Sequence, residues 1–139
     1  MSENCLFCKI IKGDIPSEKV FENDEFIAFK DINPAAPVHI LLVPRHHVVS
    51  LQEVKESDAP WLGNMLALVP QIAHENGCRP GAEGGFRVVI NSGNDGGQEI
   101  DHLHLHIIGG NAPGTLQRRL SHNGDSTWEV LAFGTGWLF

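Results

Sequence analysis

The chain has 139 residues and a formal net charge of −7, from 10 basic and 17 acidic residues. That length suffices for one domain with a self-sufficient core. The acidic balance argues against sequence-independent binding to duplex nucleic acid or to anionic membranes, both of which need basic patches. No apolar run approaches the roughly 20 residues that span a bilayer. The polar Met1-Ser2-Glu3-Asn4 start lacks signal-peptide character, and three cysteines suit a reducing compartment, so the expected location is cytoplasmic.

In chain order, Cys5 to Ile11 predicts a short amphipathic helix ended by Gly13 and Pro16. Glu18–Phe21 and Glu25–Phe29 read as two strands of a hairpin around Asn23-Asp24. The prolines of Asp31-Ile32-Asn33-Pro34-Ala35-Ala36-Pro37 exclude regular structure there. His39–Pro44 is a near-continuous apolar strand, as expected of a central one. Ser57 or Asp58 should cap a long helix with Pro60 in its first turn, Gly77 past its end, and an apolar stripe of Trp61, Met65, Leu68 and Ile72. Pro70 should kink or split that helix. Phe86–Asn91 is a further strand, and Asn91–Gln98 a Gly-rich loop. With strands far outnumbering βαβ crossovers, the expected class is α+β on an antiparallel sheet.

The chemistry concentrates in Asp101–Gly110. There Leu103, Leu105 and Ile107 alternate with His102, His104 and His106, the two-residue period of a strand. Three imidazoles then share one face, neighbours roughly 6.5–7 Å apart at about 3.3 Å per residue. Each can serve as base, acid, nucleophile or metal ligand. Separately, Cys5-x-x-Cys8 is half of a zinc site by spacing, or simply two buried thiols on one helical turn.

His102-Leu103-His104-Leu105-His106-Ile107-Ile108 resembles the His-x-His-x-His-x-x signature of the histidine triad family. The likeness extends over Cys5–Lys12, Phe29–Pro34, His39–Pro44 with His47, and Asn91 through Gly97-Gln98. Over roughly residues 4 to 110 it is similar to the HINT-type nucleoside phosphoramidases. The resemblance implies a five-stranded antiparallel sheet with one long and one short helix, joined into a ten-stranded sheet across a homodimer. It also implies hydrolysis of the phosphorus–nitrogen bond of purine nucleoside 5′-phosphoramidates through a nucleotidyl-histidine. His104 matches the family nucleophile. His102, His106 and His39 match residues that surround and polarise the phosphate, one of which can stay cationic. Asn91 and Gln98 match polar groups near the phosphate and leaving group, Gln98 being counted with the catalytic set. Asp31 matches the residue holding the ribose hydroxyls, and Leu6, Phe7, Ile10, Phe29 and Ile32 match the slot for the base. Related proteins complete a Cys-x-x-Cys pair with two histidines, and the matching positions, His47 and His102, would close a structural zinc site that catalysis does not require.

Two departures from the family pattern stand out. Glu99 follows Gly96-Gly97-Gln98 where animal-type members usually carry Ser, so it could pass a proton or bind a cationic amine. The tail, residues 111–139 beyond a triad domain of residues 1–110, is longer than usual and ends in Trp128, Phe133, Trp137, Leu138 and Phe139, with glycines that leave its order open. The rival functions are a zinc hydrolase built on His-x-His, a dinucleoside polyphosphate hydrolase, and a non-catalytic nucleotide-binding or interaction protein.

Overall fold

In the computed structural model the described residues are 4–110, with the backbone of 118–120 and 126–128. The first helix, α1, spans Leu6–Lys12. Cys5 is its N-cap, with Sγ accepting from the Cys8 amide at 3.4 Å, and Gly13 ends it in the left-handed conformation at φ 87°. The hairpin follows as β1 (Lys19–Glu22) and β2 (Phe26–Lys30). Asn23 Oδ1 makes its turn by accepting from the amides of Glu25 (2.9 Å) and Phe26 (2.7 Å).

Strand β3 (Val38–Pro44) is buried along its whole length, as its apolar run requires. With β4 (Phe86–Val89) and β5 (Leu105–Gly109) it completes an antiparallel sheet in the order β1-β2-β3-β5-β4. The period of two divides β2 and β3 between two cores. On one face Phe26, Ala28, Val38, Ile40, Leu42, Leu105 and Ile107 pack with Met65, Val69, Ile72 and Ala73 of the long helix α2 (Ala59–Glu75). On the other, Ile27, Phe29, Leu41 and Val43 pack with Phe7, Cys8 and Ile10 of α1.

The structure corrects three local expectations. The triad strand begins at Leu105, so His102, Leu103 and His104 precede it. The ladder stops because its backbone groups are already engaged: the Leu103 amide donates to Val48 O at 2.6 Å, and Pro44 O accepts from His102 Nε2 at 2.8 Å. The alternation survives, with Leu103 buried in the α2-side core. Next, of the kink or split expected at Pro70, the split does not occur: α2 runs continuously through it. The missing N–H deprives only the carbonyl of Leu66, and both residues lie on the exposed side of the helix, where water can serve that oxygen. Finally, Asp58 holds the N-cap position without capping through its side chain. Its carboxylate accepts instead from the Lys55 amide and from Trp61 Nε1.

Past the main sheet, β6 (Arg118–Leu120) and β7 (Ser126–Trp128) pair antiparallel. The expectations for the other residues of 111–139 lie outside the described residues. Among those described, no helix is long and apolar enough to cross a membrane.

Candidate functional site

The α1 face of the sheet carries a cleft of about 310 Å³. Phe7, Leu41 and Ile100 form its apolar wall, Asp31, Asn33 and Glu99 its polar rim, and His104 and His106 its floor beside Gly97. The loop before the triad is held by Gln98, whose Oε1 accepts from the Gly93 amide (2.9 Å) while Nε2 donates to the carbonyls of Val49 (2.6 Å) and Ile100 (2.9 Å). Gly97 presents its backbone to the cleft at φ 81°, a conformation that a side chain would strain.

Backbone groups set the histidine tautomers. His104 Nδ1 donates to His102 O at 2.6 Å, which leaves its Nε2 lone pair as the reactive one. The Ala35 amide donates to His39 Nδ1 at 2.9 Å, so His39 carries its proton on Nε2 and donates it to His106 Nδ1, 2.9 Å away. That makes Nε2 the protonated nitrogen of His106. His102 Nε2 donates to Pro44 O, leaving Nδ1 as an acceptor or ligand.

Burial lowers the pKa of all four rings, to about 4 for His102 and about 3 for His106. The carboxylates of Asp31 and Glu99 oppose this at His104 without reversing it. Burial therefore favours neutral imidazoles with directed N–H groups at neutral pH.

The other residues named from sequence fall in several places. Phe7 and Asp31 line the cleft with His104 and His106. Ile10 and Phe29 are buried in the core behind it, where Phe29 meets Phe7 edge-on at 5.4 Å. Leu6 lines a separate recess, Ile32 stands 88% exposed, and Asn91 is buried at the start of the loop. Asp31 Oδ1 also accepts from the Asn33 amide at 2.8 Å, so it both opens a turn and faces the cleft. Missing from the sequence-based site were Asn33, Leu41, Gly97 and Ile100. Leu41 shares a strand face with His39, and Ile100 shares the parity of the triad, so the same periodicity pointed to both.

Two clusters have metal-ligating atoms within 4.8 Å of one another: Cys5, Cys8, His47 and His102, and Asp31, His39 and His106. In the first, Nδ1 of His102 lies 3.3 Å from Cys5 Sγ and 3.6 Å from Cys8 Sγ, and Nδ1 of His47 lies 3.3 Å from Cys8 Sγ. With Nε2 of His102 occupied by Pro44 O, the donor set fits a closed four-ligand zinc site supported by a backbone acceptor. The second cluster fits a metal poorly. His39 could offer Nε2 only by moving its proton to Nδ1, at which the Ala35 N–H already points.

Over residues 4–122 the chain matches the family described as scavenger mRNA decapping enzyme C-term binding. It is 48% identical to "Protein HitA" of Neisseria gonorrhoeae over 107 residues, covering 77% of this chain and 96% of that protein. It is 38% identical to the "Purine nucleoside phosphoramidase" of Escherichia coli K12 over 124 residues, covering 89% and 99%. Among solved structures it resembles a HIT family hydrolase from Clostridium thermocellum, with a TM-score of 0.75 and 43% identity over 82% of this chain and 96% of that one. A histidine triad protein from Clostridium difficile is equally similar in shape, with a TM-score of 0.75 and 42% identity over 84% and 99%.

The lowered pKa values carry a stability consequence. An unfolded chain protonates His106 near 6.5, whereas the folded site does so only near 3, so between those values the unfolded state binds more protons. His39 acts in the same direction. The melting temperature should therefore fall steadily as pH drops from 7 to 4.5, and His106→Asn should make that fall shallower. Differential scanning calorimetry across this range checks both, and an unchanged slope in the variant would refute the assignment.

Proposed function

Because the chain belongs to the histidine triad family, we propose that it is a hydrolase of the phosphorus–nitrogen bond in purine nucleoside 5′-phosphoramidates. The hydrogen bond from His104 Nδ1 to His102 O carries this reading, since it leaves an unprotonated Nε2 on a ring that lines the cleft. The purine nucleoside phosphoramidase of Escherichia coli, 38% identical, supports the substrate class.

In this mechanism His104 Nε2 attacks phosphorus, a P–N(His) bond forms, and the P–N bond to the amine breaks as the amine nitrogen takes up a proton from solvent. Water then attacks phosphorus and returns a proton to solvent, and the P–N(His) bond gives its electron pair back to Nε2, releasing the nucleoside monophosphate. Two moderate barriers replace one high one. The His39–His106 chain presents a fixed N–H dipole that stabilises charge growing on the non-bridging oxygens. Gly97 allows backbone approach to the phosphate. Asp31 accepts from the ribose diol, and Phe7, backed by Phe29 and Ile10, walls the base. Gln98 acts by holding the loop rather than by touching the reacting atoms, since its amide is already engaged three times.

Cys5, Cys8, His47 and His102 would hold a zinc ion of structural type. Bound there, zinc contributes folding free energy and offers no open coordination position for substrate. The β4 edge of the sheet, which pairs with no further strand among the described residues, suits antiparallel pairing with a second copy of the chain, giving ten strands.

Turnover of a fluorogenic adenosine 5′-phosphoramidate tests the function. Wild-type protein should hydrolyse it, and His104→Ala should lose at least about a thousandfold in kcat, the scale seen when a covalent nucleophile is removed, while retaining AMP binding. A substantial residual rate, or cleavage of diadenosine polyphosphates in preference to phosphoramidates, would overturn the reading. Light scattering on the eluting protein should give twice the chain mass, and a monomer would rule out the ten-stranded sheet.

A further inference from the structure

The cysteine cluster and the cleft share one residue. The buried ring of His102 faces the cysteines, with Nδ1 3.3 Å from Cys5 Sγ and 3.6 Å from Cys8 Sγ. The carbonyl of the same residue accepts the proton of His104 Nδ1 at 2.6 Å. The group that decides which nitrogen of His104 can attack is therefore the backbone of a cluster residue. Helix α1 makes a second link. Phe7, lying between the two cysteines in sequence, packs edge-on against the rings of both His102 (6.0 Å) and His104 (5.1 Å) and also walls the cleft.

His47 completes the cluster from outside the cleft. Its Nδ1 is 3.3 Å from Cys8 Sγ and its ring stands 5.0 Å from that of His102, yet it is not among the residues lining the cleft. We infer that His47 is a positioning residue for the nucleophile: by closing the four-ligand set it fixes His102, and the His102 carbonyl then holds His104 with its proton on Nδ1. This rests on the zinc and phosphoramidase readings above. Apart from the cluster, the His102 ring is anchored by its bond to Pro44 O and by packing against Phe7, and the peptide that carries its carbonyl by the bond from the Leu103 amide to Val48 O. A hydrogen-bonded group of thiols and imidazoles is softer than a coordination shell, so losing the fourth ligand lets the His102 carbonyl tilt about the peptide that Leu103 ties to Val48, and the His104 proton redistribute between its nitrogens.

The experiment compares full-length wild type, His47→Ala and His47→Cys, the last restoring four ligands as Cys₃His. Three quantities are read: zinc per chain, kcat and KM for the fluorogenic phosphoramidate, and the tautomer of His104 from its imidazole ¹⁵N shifts. Wild type should bind about one zinc per chain, the count of a closed four-ligand site. His47→Ala should lose zinc and show mixed His104 tautomers, with kcat falling roughly ten- to a hundredfold, the usual scale for supporting residues around a metal site, and KM changing far less. His47→Cys should recover all three.

If His47→Ala does not fold, chelating wild type and then restoring zinc decides the matter through the same shifts. Zinc loss that leaves the His104 tautomer and kcat unchanged overturns the coupling and leaves the zinc site standing. A wild type that takes up no zinc removes the premise, and the coupling falls with it, while turnover separately upholds the phosphoramidase reading. If no phosphoramidate is turned over, the ¹⁵N signature alone decides: a tautomer that follows zinc supports the coupling, and one indifferent to zinc refutes it.

Discussion

The 2.6 Å hydrogen bond from His104 Nδ1 to the carbonyl of His102 is the contact on which the site depends. Imidazole has two nitrogens of similar basicity, and only a fixed acceptor on one makes the other a dependable nucleophile. The same logic is repeated around it. The Ala35 amide fixes His39, His39 fixes His106, and the Pro44 carbonyl fixes His102. Four buried rings thus receive their proton positions from three main-chain groups and one another, and burial keeps them neutral.

That arrangement is affordable because the sheet is covered on both faces. Helix α2 seals one face with Met65, Val69, Ile72 and Ala73, which leaves the other free to be shared between α1 and polar chemistry. Helix α1 is short, but it contributes Phe7 to the cleft and Cys5 and Cys8 to the cluster within a single turn. Packing, ligation and substrate contact are therefore linked through a few residues rather than spread over separate elements.

Much of this was legible in the sequence. The period of two across residues 102–107 separated core from site, the apolar run of β3 marked the central strand, and Asn23 marked the hairpin turn. What local patterns could not convey was competition for backbone groups. Strand β5 is shorter than its alternation because Pro44 O and the Leu103 amide are engaged by His102 and Val48, partners distant in sequence. Pro70 is tolerated because the carbonyl it orphans lies on the exposed side of α2, a matter of tertiary orientation. The neutrality of the triad likewise depends on how deeply it is buried. Leu41 and Ile100 did carry a readable signal, the same parity as the histidines, but parity marks a face of the sheet and not the boundary of a cleft.

The stereochemical course at phosphorus tests the nucleophilic role of His104 most directly. Hydrolysis of a P-chiral adenosine 5′-phosphoramidate analogue in ¹⁸O-labelled water should proceed with overall retention, because attack by Nε2 and then by water are two in-line displacements, each inverting. Overall inversion would mean that water attacks the substrate directly, and would contradict the account.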